Sequence, residues 1–108
     1  MITVKLLKKG EIITGFDVSG HSGYAEEGSD IICAAVSSAV GLVETVINDS
    51  IKAEAEVTIE PEDARVALLV SEKCDECVPV LSGFGRHLTA LAEEYPKYIK
   101  VLEVQLNA

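Results

Sequence analysis

Two side chains of this 108-residue sequence, Cys33 and His21, combine residue types and spacing suited to nucleophilic chemistry. Cys33 stands three residues after Asp30, which with Ser29 offers the natural N-cap of a helix whose apolar positions begin at Ile32, so its thiol falls in the first helical turn. Unpaired N–H groups at that end favour a thiolate, and the same donors suit the oxyanion of a tetrahedral intermediate. The Asp30 carboxylate works against the thiolate unless it is turned away into the cap. His21 lies on the loop that returns to this helix start, where its imidazole can take the thiol proton and later give one to a leaving amine. The pair would make a Cys-His dyad. A blander reading has Cys33 as a buried core thiol and His21 as a solvated loop residue.

The C-x-x-C pair Cys74-Asp75-Glu76-Cys77 invites a redox or zinc reading. Two carboxylates between the cysteines disfavour thiolates, and a structural zinc wants four ligands where His87 is the sole further candidate. A structural disulfide or plain thiols is the expectation, with no metal. His87 itself is offset from the apolar stripe of its helix and is assigned no role. The acids Glu54, Glu56, Glu60, Glu62 and Asp63 alternate along a strand and its turn and read as a solvated face.

These residues need elements to hold them. Ile2 to Leu7 and Glu11 to Ser19 alternate as two strands joined across Lys8-Lys9-Gly10, a hairpin. Gly20 to Ser29 holds three glycines and no apolar period, a loop of a length that is usually functional. From Ile32, Val36, Ala39, Val40, Val43, Val46 and Ile47 recur at helical spacing, and Asn48, Asp49 and Ser50 close that helix. Ala53 to Ile59 and Arg65 to Ser71 form a second hairpin around Pro61. Leu81, Phe84, Leu88, Leu91 and Tyr95 mark a second amphipathic helix ending before Pro96, and Tyr98 to Leu106 a fifth strand. The fold class is therefore α/β (α+β): one domain over residues 1–108, a mixed five-stranded sheet in the order β-β-α-β-β-α-β, covered by two helices.

Composition bounds the function. With 48% hydrophobic residues the chain buries a core and is not disordered. Nine Lys and Arg against eighteen Asp and Glu give a net charge of −9, which repels phosphate backbones and argues against direct nucleic-acid binding. The same surplus steers toward basic partners. The uncharged stretch Ile31 to Val43 is shorter than the roughly 20 residues a membrane span needs, and the N-terminus does not read as a signal peptide, so the expected compartment is the cytoplasm.

Gly20-His21-Ser22-Gly23-Tyr24-Ala25, followed by Gly28-Ser29-Asp30-Ile31-Ile32-Cys33-Ala34-Ala35-Val36-Ser37, resembles the ribosomal-processing cysteine protease (Prp) family. The likeness covers the full length, by motif in this block and by pattern elsewhere. It implies Cys33 as the nucleophile and His21 as general base and acid, with Gly20 turning the chain sharply before His21. Asp30 and Ser37 would support the site, and the loop carrying Ser22, Gly23, Tyr24, Gly28 and Ser29 would be a lid that orders on substrate. The implied substrate is the twenty-seventh protein of the bacterial large ribosomal subunit, made with an N-terminal extension that the enzyme removes, without metal or cofactor. The family also implies a homodimer. A non-catalytic ribosome-associated or scaffolding module on the same fold is the alternative, and Cys33→Ala separates the two.

Overall fold

Strand β1, Ile2–Lys9, buries every second residue, and strand β2, Ile12–Ser19, returns beside it. Gly10 takes the tight turn at φ +63°, and a register shift between Leu7 and Lys8 marks a bulge near it. The computed structural model describes residues 1–26, 30–71 and 74–106. Glu27, Gly28 and Ser29 lie outside these, so the lid expectation for Gly28 and Ser29 stays at the level of sequence.

Helix α1, Ile31–Thr45, starts at its Asp30 cap and continues through a wider π-helical turn, Val46–Ile51. Asn48, Asp49 and Ser50 therefore do not close it, as their turn-forming character suggested. The stop comes at Lys52, held left-handed at φ +60°, because Ile47 in the added turn is fully buried and keeps the chain on the core. Strands β3, Ala55–Glu60, and β4, Arg65–Val70, are joined by a 3-10 turn over Pro61–Asp63, with Ala64 left-handed at φ +46°. After a second such turn at Asp75–Cys77, helix α2 runs over Val78–Glu94 with a proline in its first turn, and strand β5 over Ile99–Gln105 ends the fold.

The sheet order is β3-β4-β2-β1-β5, with β1 and β5 parallel and the other pairs antiparallel. Register places Val4 opposite Val18, Leu6 opposite Phe16 and Phe16 opposite Leu68, so the buried side chains share one face. Ile32, Val36, Val40 and Val43 of α1 and Leu81, Phe84 and Leu88 of α2 cover that face, and the rings of Phe16 and Phe84 lie 4.7 Å apart. Each such side chain removed from water contributes about 1.5–3 kcal/mol. On the other face, Arg65 grips Asp17 through two hydrogen bonds of 3.0 and 2.9 Å and also pairs with Glu60, tying the second hairpin to β2.

Ile31–Ile51 taken whole is 21 residues long with Glu44 and Asp49 as its charged members, long and apolar enough by length and composition to cross a membrane. The uncharged stretch underestimated it. Its stripe from Ile32 to Ile47 packs into the core, while much of the rest of its surface is left exposed. Neither helix reaches the β3 edge: Val57 and Ile59, on the helix side by register, are left 40% and 63% exposed.

Candidate active site

The loop between β2 and α1 is built by two backbone demands. Gly20 leaves β2 at φ +91°, where an added Cβ would stand 2.5 Å from the carbonyl oxygen of Met1. No other residue fits there without displacing the start of β1. Gly23, at φ +76°, turns the chain again in open space, and the Tyr24 ring then meets that of Tyr98 edge to face at 5.3 Å. Between these turns Ser22 points inward, 3% exposed, while His21 points outward.

Asp30 organises what the loop meets. Its Oδ1 accepts the N–H groups of Ile32 and Cys33, both at 3.0 Å, capping α1. Its Oδ2 accepts the Ser22 hydroxyl and, at 3.3 Å, the Cys33 thiol. The Ser22 hydroxyl in turn accepts the Tyr24 N–H at 3.0 Å, and the Ser22 N–H donates to Cys33 Sγ at 3.4 Å. The Ser22 hydroxyl bond chiefly, then the Cys33 N–H, the Cys33 thiol and the Ile32 N–H, pull the Asp30 carboxyl down to about 2 against the opposing effect of burial.

One expectation from the sequence is corrected here, and one condition it left open is answered. The cap N–H groups of Ile32 and Cys33 do not stand free for an oxyanion, because Asp30 Oδ1 already takes both. The carboxylate is not wholly turned away from the thiol either, since one oxygen serves the cap and the other the sulfur. Ser22 is likewise engaged inside the site, its hydroxyl committed to Asp30.

A groove of about 590 Å³ opens between α1 and the uncovered flank of the sheet. Cys33, His21 and Gly23 line one end of it. Cys33 is half-buried and His21 exposed, and no hydrogen bond joins them among the described residues. Ser37, one turn past Cys33, is exposed on the same wall and bonds to neither. The sequence allowed the fold to bring His21 beside Cys33, and the structure lines one groove with both, but Ser22 as the partner of Asp30 was missed. Glu44, which lines the groove three turns from Cys33, was also missed. The available signal for Glu44 was a single carboxylate on the helical stripe of Cys33, Ser37 and Gly41.

The second cysteine pair lies elsewhere. Cys77 is buried at the head of α2 and its thiol reaches Cys74 Sγ at 2.7 Å. Burial first, and then the neighbouring Cys74, push the Cys77 thiol up to about 12. Both are free thiols, and no cluster of three or more metal-ligating side chains occurs among the described residues. His87 is exposed on α2.

Comparisons with known proteins bear on both fold and site. The structure is similar to an essential ribosomal processing protease Prp from S. aureus in complex with a covalently linked product peptide, at 22% identity and a TM-score of 0.88, covering 96% of this chain and 100% of that one. The same S. aureus protease in complex with a substrate peptide gives 21% and 0.83 over 96% and 100% of the two chains. SMU.848 from Streptococcus mutans gives 21% and 0.84 over 98% and 96%. At these identities the likeness is one of fold. No curated protein matched. The family model described as cysteine protease Prp matches residues 1–100, and the chain belongs to that family.

Proposed function

We propose that the chain is a cysteine endopeptidase that removes the N-terminal extension of the twenty-seventh protein of the bacterial large ribosomal subunit, with Cys33 and His21 as its dyad. One observation carries the reading: a protein of the Prp family holds a half-buried cysteine at the head of a helix, on the wall of a groove that a histidine also lines. The Cys33 thiolate attacks the scissile carbonyl and forms a thioester as the amine departs with a proton from His21. Water, activated by His21, then hydrolyses the thioester and frees the acid product. The Ser22 N–H, aimed at the sulfur, supports the thiolate, while Asp30 holds the thiol in place until substrate draws His21 inward. Asp30, Gly20 and Ser37 act through position. In this reading the loop residues Ser22, Gly23 and Tyr24 belong to the lid, a role that the sequence alone extends to Gly28 and Ser29.

The enzyme in this reading is a single domain that works in the cytoplasm as a homodimer, without metal or cofactor, on a protein substrate and on neither nucleic acid nor membrane. The test is mass spectrometry of the extended precursor, or its N-terminal peptide, incubated with wild type, Cys33→Ala and His21→Ala. A single cut abolished by both substitutions is the expected result. A wild type that binds the extended precursor and leaves it intact would replace the protease with a non-catalytic module.

A further inference from the structure

The far end of the groove holds a carboxylate with one oxygen left unpaired among the described residues. Among the described residues, Glu44 Oε1 is buried with no hydrogen-bond partner, and no Lys or Arg lines the groove. A buried carboxylate oxygen left unsatisfied costs stability unless a ligand compensates it. Between this carboxylate and Cys33 the helix wall is kept low. Gly41 lines the groove with only open space where a Cβ would stand, although a glycine inside a helix costs about 1 kcal/mol relative to alanine. Opposite, the exposed Ile59 and the neighbouring Val66 line the sheet side.

We propose that Glu44 is a specificity-determining residue that binds a lysine or arginine side chain of the substrate. The inference rests on the reading of the groove as a peptide site. Three helical turns separate Cys33 from Glu44, about 16 Å at 1.5 Å per residue, which an extended peptide covers in about five residues at 3.3 Å each. The basic side chain therefore stands four to six residues from the scissile bond, its stem along the Gly41 gap and its charge on Glu44. A cation is the partner because Oε1 lacks a donor and the whole chain carries a net charge of −9.

The test separates binding from chemistry. Fluorescently labelled precursor peptides, in which each Lys or Arg is singly replaced by norleucine, are titrated onto Cys33→Ala protein by anisotropy, and the same peptides are cleaved by the wild type. One replacement, four to six residues from the cut, is expected to weaken binding and raise KM by about 10-fold to 100-fold, with kcat little changed. Glu44→Gln, isosteric and checked for folding by circular dichroism, should weaken the parent peptide equally and become indifferent to that replacement. Glu44→Lys should recover binding to a peptide with Glu at that position. Peptides that bind Glu44→Gln as tightly as the parent protein overturn the inference, as does failure of every peptide to bind. Tight, Glu44-dependent binding with no cleavage overturns the protease reading and leaves this one standing.

Discussion

Asp30 divides its two carboxylate oxygens between the backbone and the side chain of Cys33: Oδ1 accepts the Cys33 N–H at 3.0 Å and Oδ2 accepts the Cys33 thiol at 3.3 Å. The residue that starts the helix is thus the residue that holds the Cys33 thiol. Substitution there changes both, and pH separates the two effects. The folded-state carboxyl titrates at about 2, below its usual 3.8. A depressed carboxyl adds stability that is present above the unfolded value and is lost as pH falls through the folded one. Asn is also a good N-cap, so Asp30→Asn should keep the helix start near neutrality. Thermal unfolding from pH 5 to pH 2 should show the wild type losing its advantage over Asp30→Asn between about pH 4 and pH 2. Parallel curves would mean that Asp30 is not held ionised by its partners.

The three thiols should separate by reactivity. Cys33 and Cys74 are half-buried, whereas Cys77 is buried and its thiol is pushed up to about 12. Peptide mapping after iodoacetamide treatment of the reduced protein at pH 8 should find Cys77 modified last, by about 100-fold or more in rate. The same shift has a stability sign: the raised thiol costs nothing below its ordinary 9.0, and the fold loses stability as pH rises from there toward 12. Early labelling of Cys77 would show that the head of α2 opens readily.

Most elements were legible because their periods are unambiguous, as in the alternation of Ile2, Val4 and Leu6 and the helical stripe of Ile32, Val36 and Val40. The strand order was not, since pairing β1 in parallel with β5 depends on contacts almost a full chain apart. The end of α1 misled for a physical reason: Asn48-Asp49-Ser50 is good stopping chemistry, but burying Ile47 outweighs it. In the site, the cap at Asp30 and the thiol one turn in could be read from spacing. The Ser22 contact could not, because it depends on the path the chain takes through Gly20 and Gly23.

That path makes Gly20→Ala informative. The substitution meets both an adverse φ of +91° and the Met1 carbonyl at 2.5 Å, and should cost about 1–3 kcal/mol of stability. Because the strained residue precedes His21, kcat/KM for precursor cleavage should fall by more than about 10-fold at a temperature where the variant is still folded, the scale of loss that a misplaced group brings. An active, equally stable variant would show that the loop tolerates another route.

Ser22→Ala tests the inner side of the same loop. Its hydroxyl donates to Asp30 Oδ2 and accepts the Tyr24 N–H, so one side chain ties the turn at Gly23 to the helix cap. Without it the Asp30 carboxyl should titrate closer to the usual carboxylate range, since the Ser22 bond is the largest cause of its depression. The acid loss of stability should then be complete nearer the ordinary pKa and be smaller in total. The Tyr24 N–H would lose its partner while the ring keeps its contact with Tyr98, so the loop should exchange amide hydrogens faster than in the wild type. Ser22→Thr, which keeps the hydroxyl, should restore both properties. The melting temperature of Ser22→Ala should drop by about 4–8 °C, the shift that a lost hydrogen bond of about 1 kcal/mol brings in a domain of this size. If Ser22→Ala and wild type share one acid-unfolding profile, the tie between loop and cap is not what holds Asp30 ionised, and the cap N–H groups together with the Cys33 thiol do it instead.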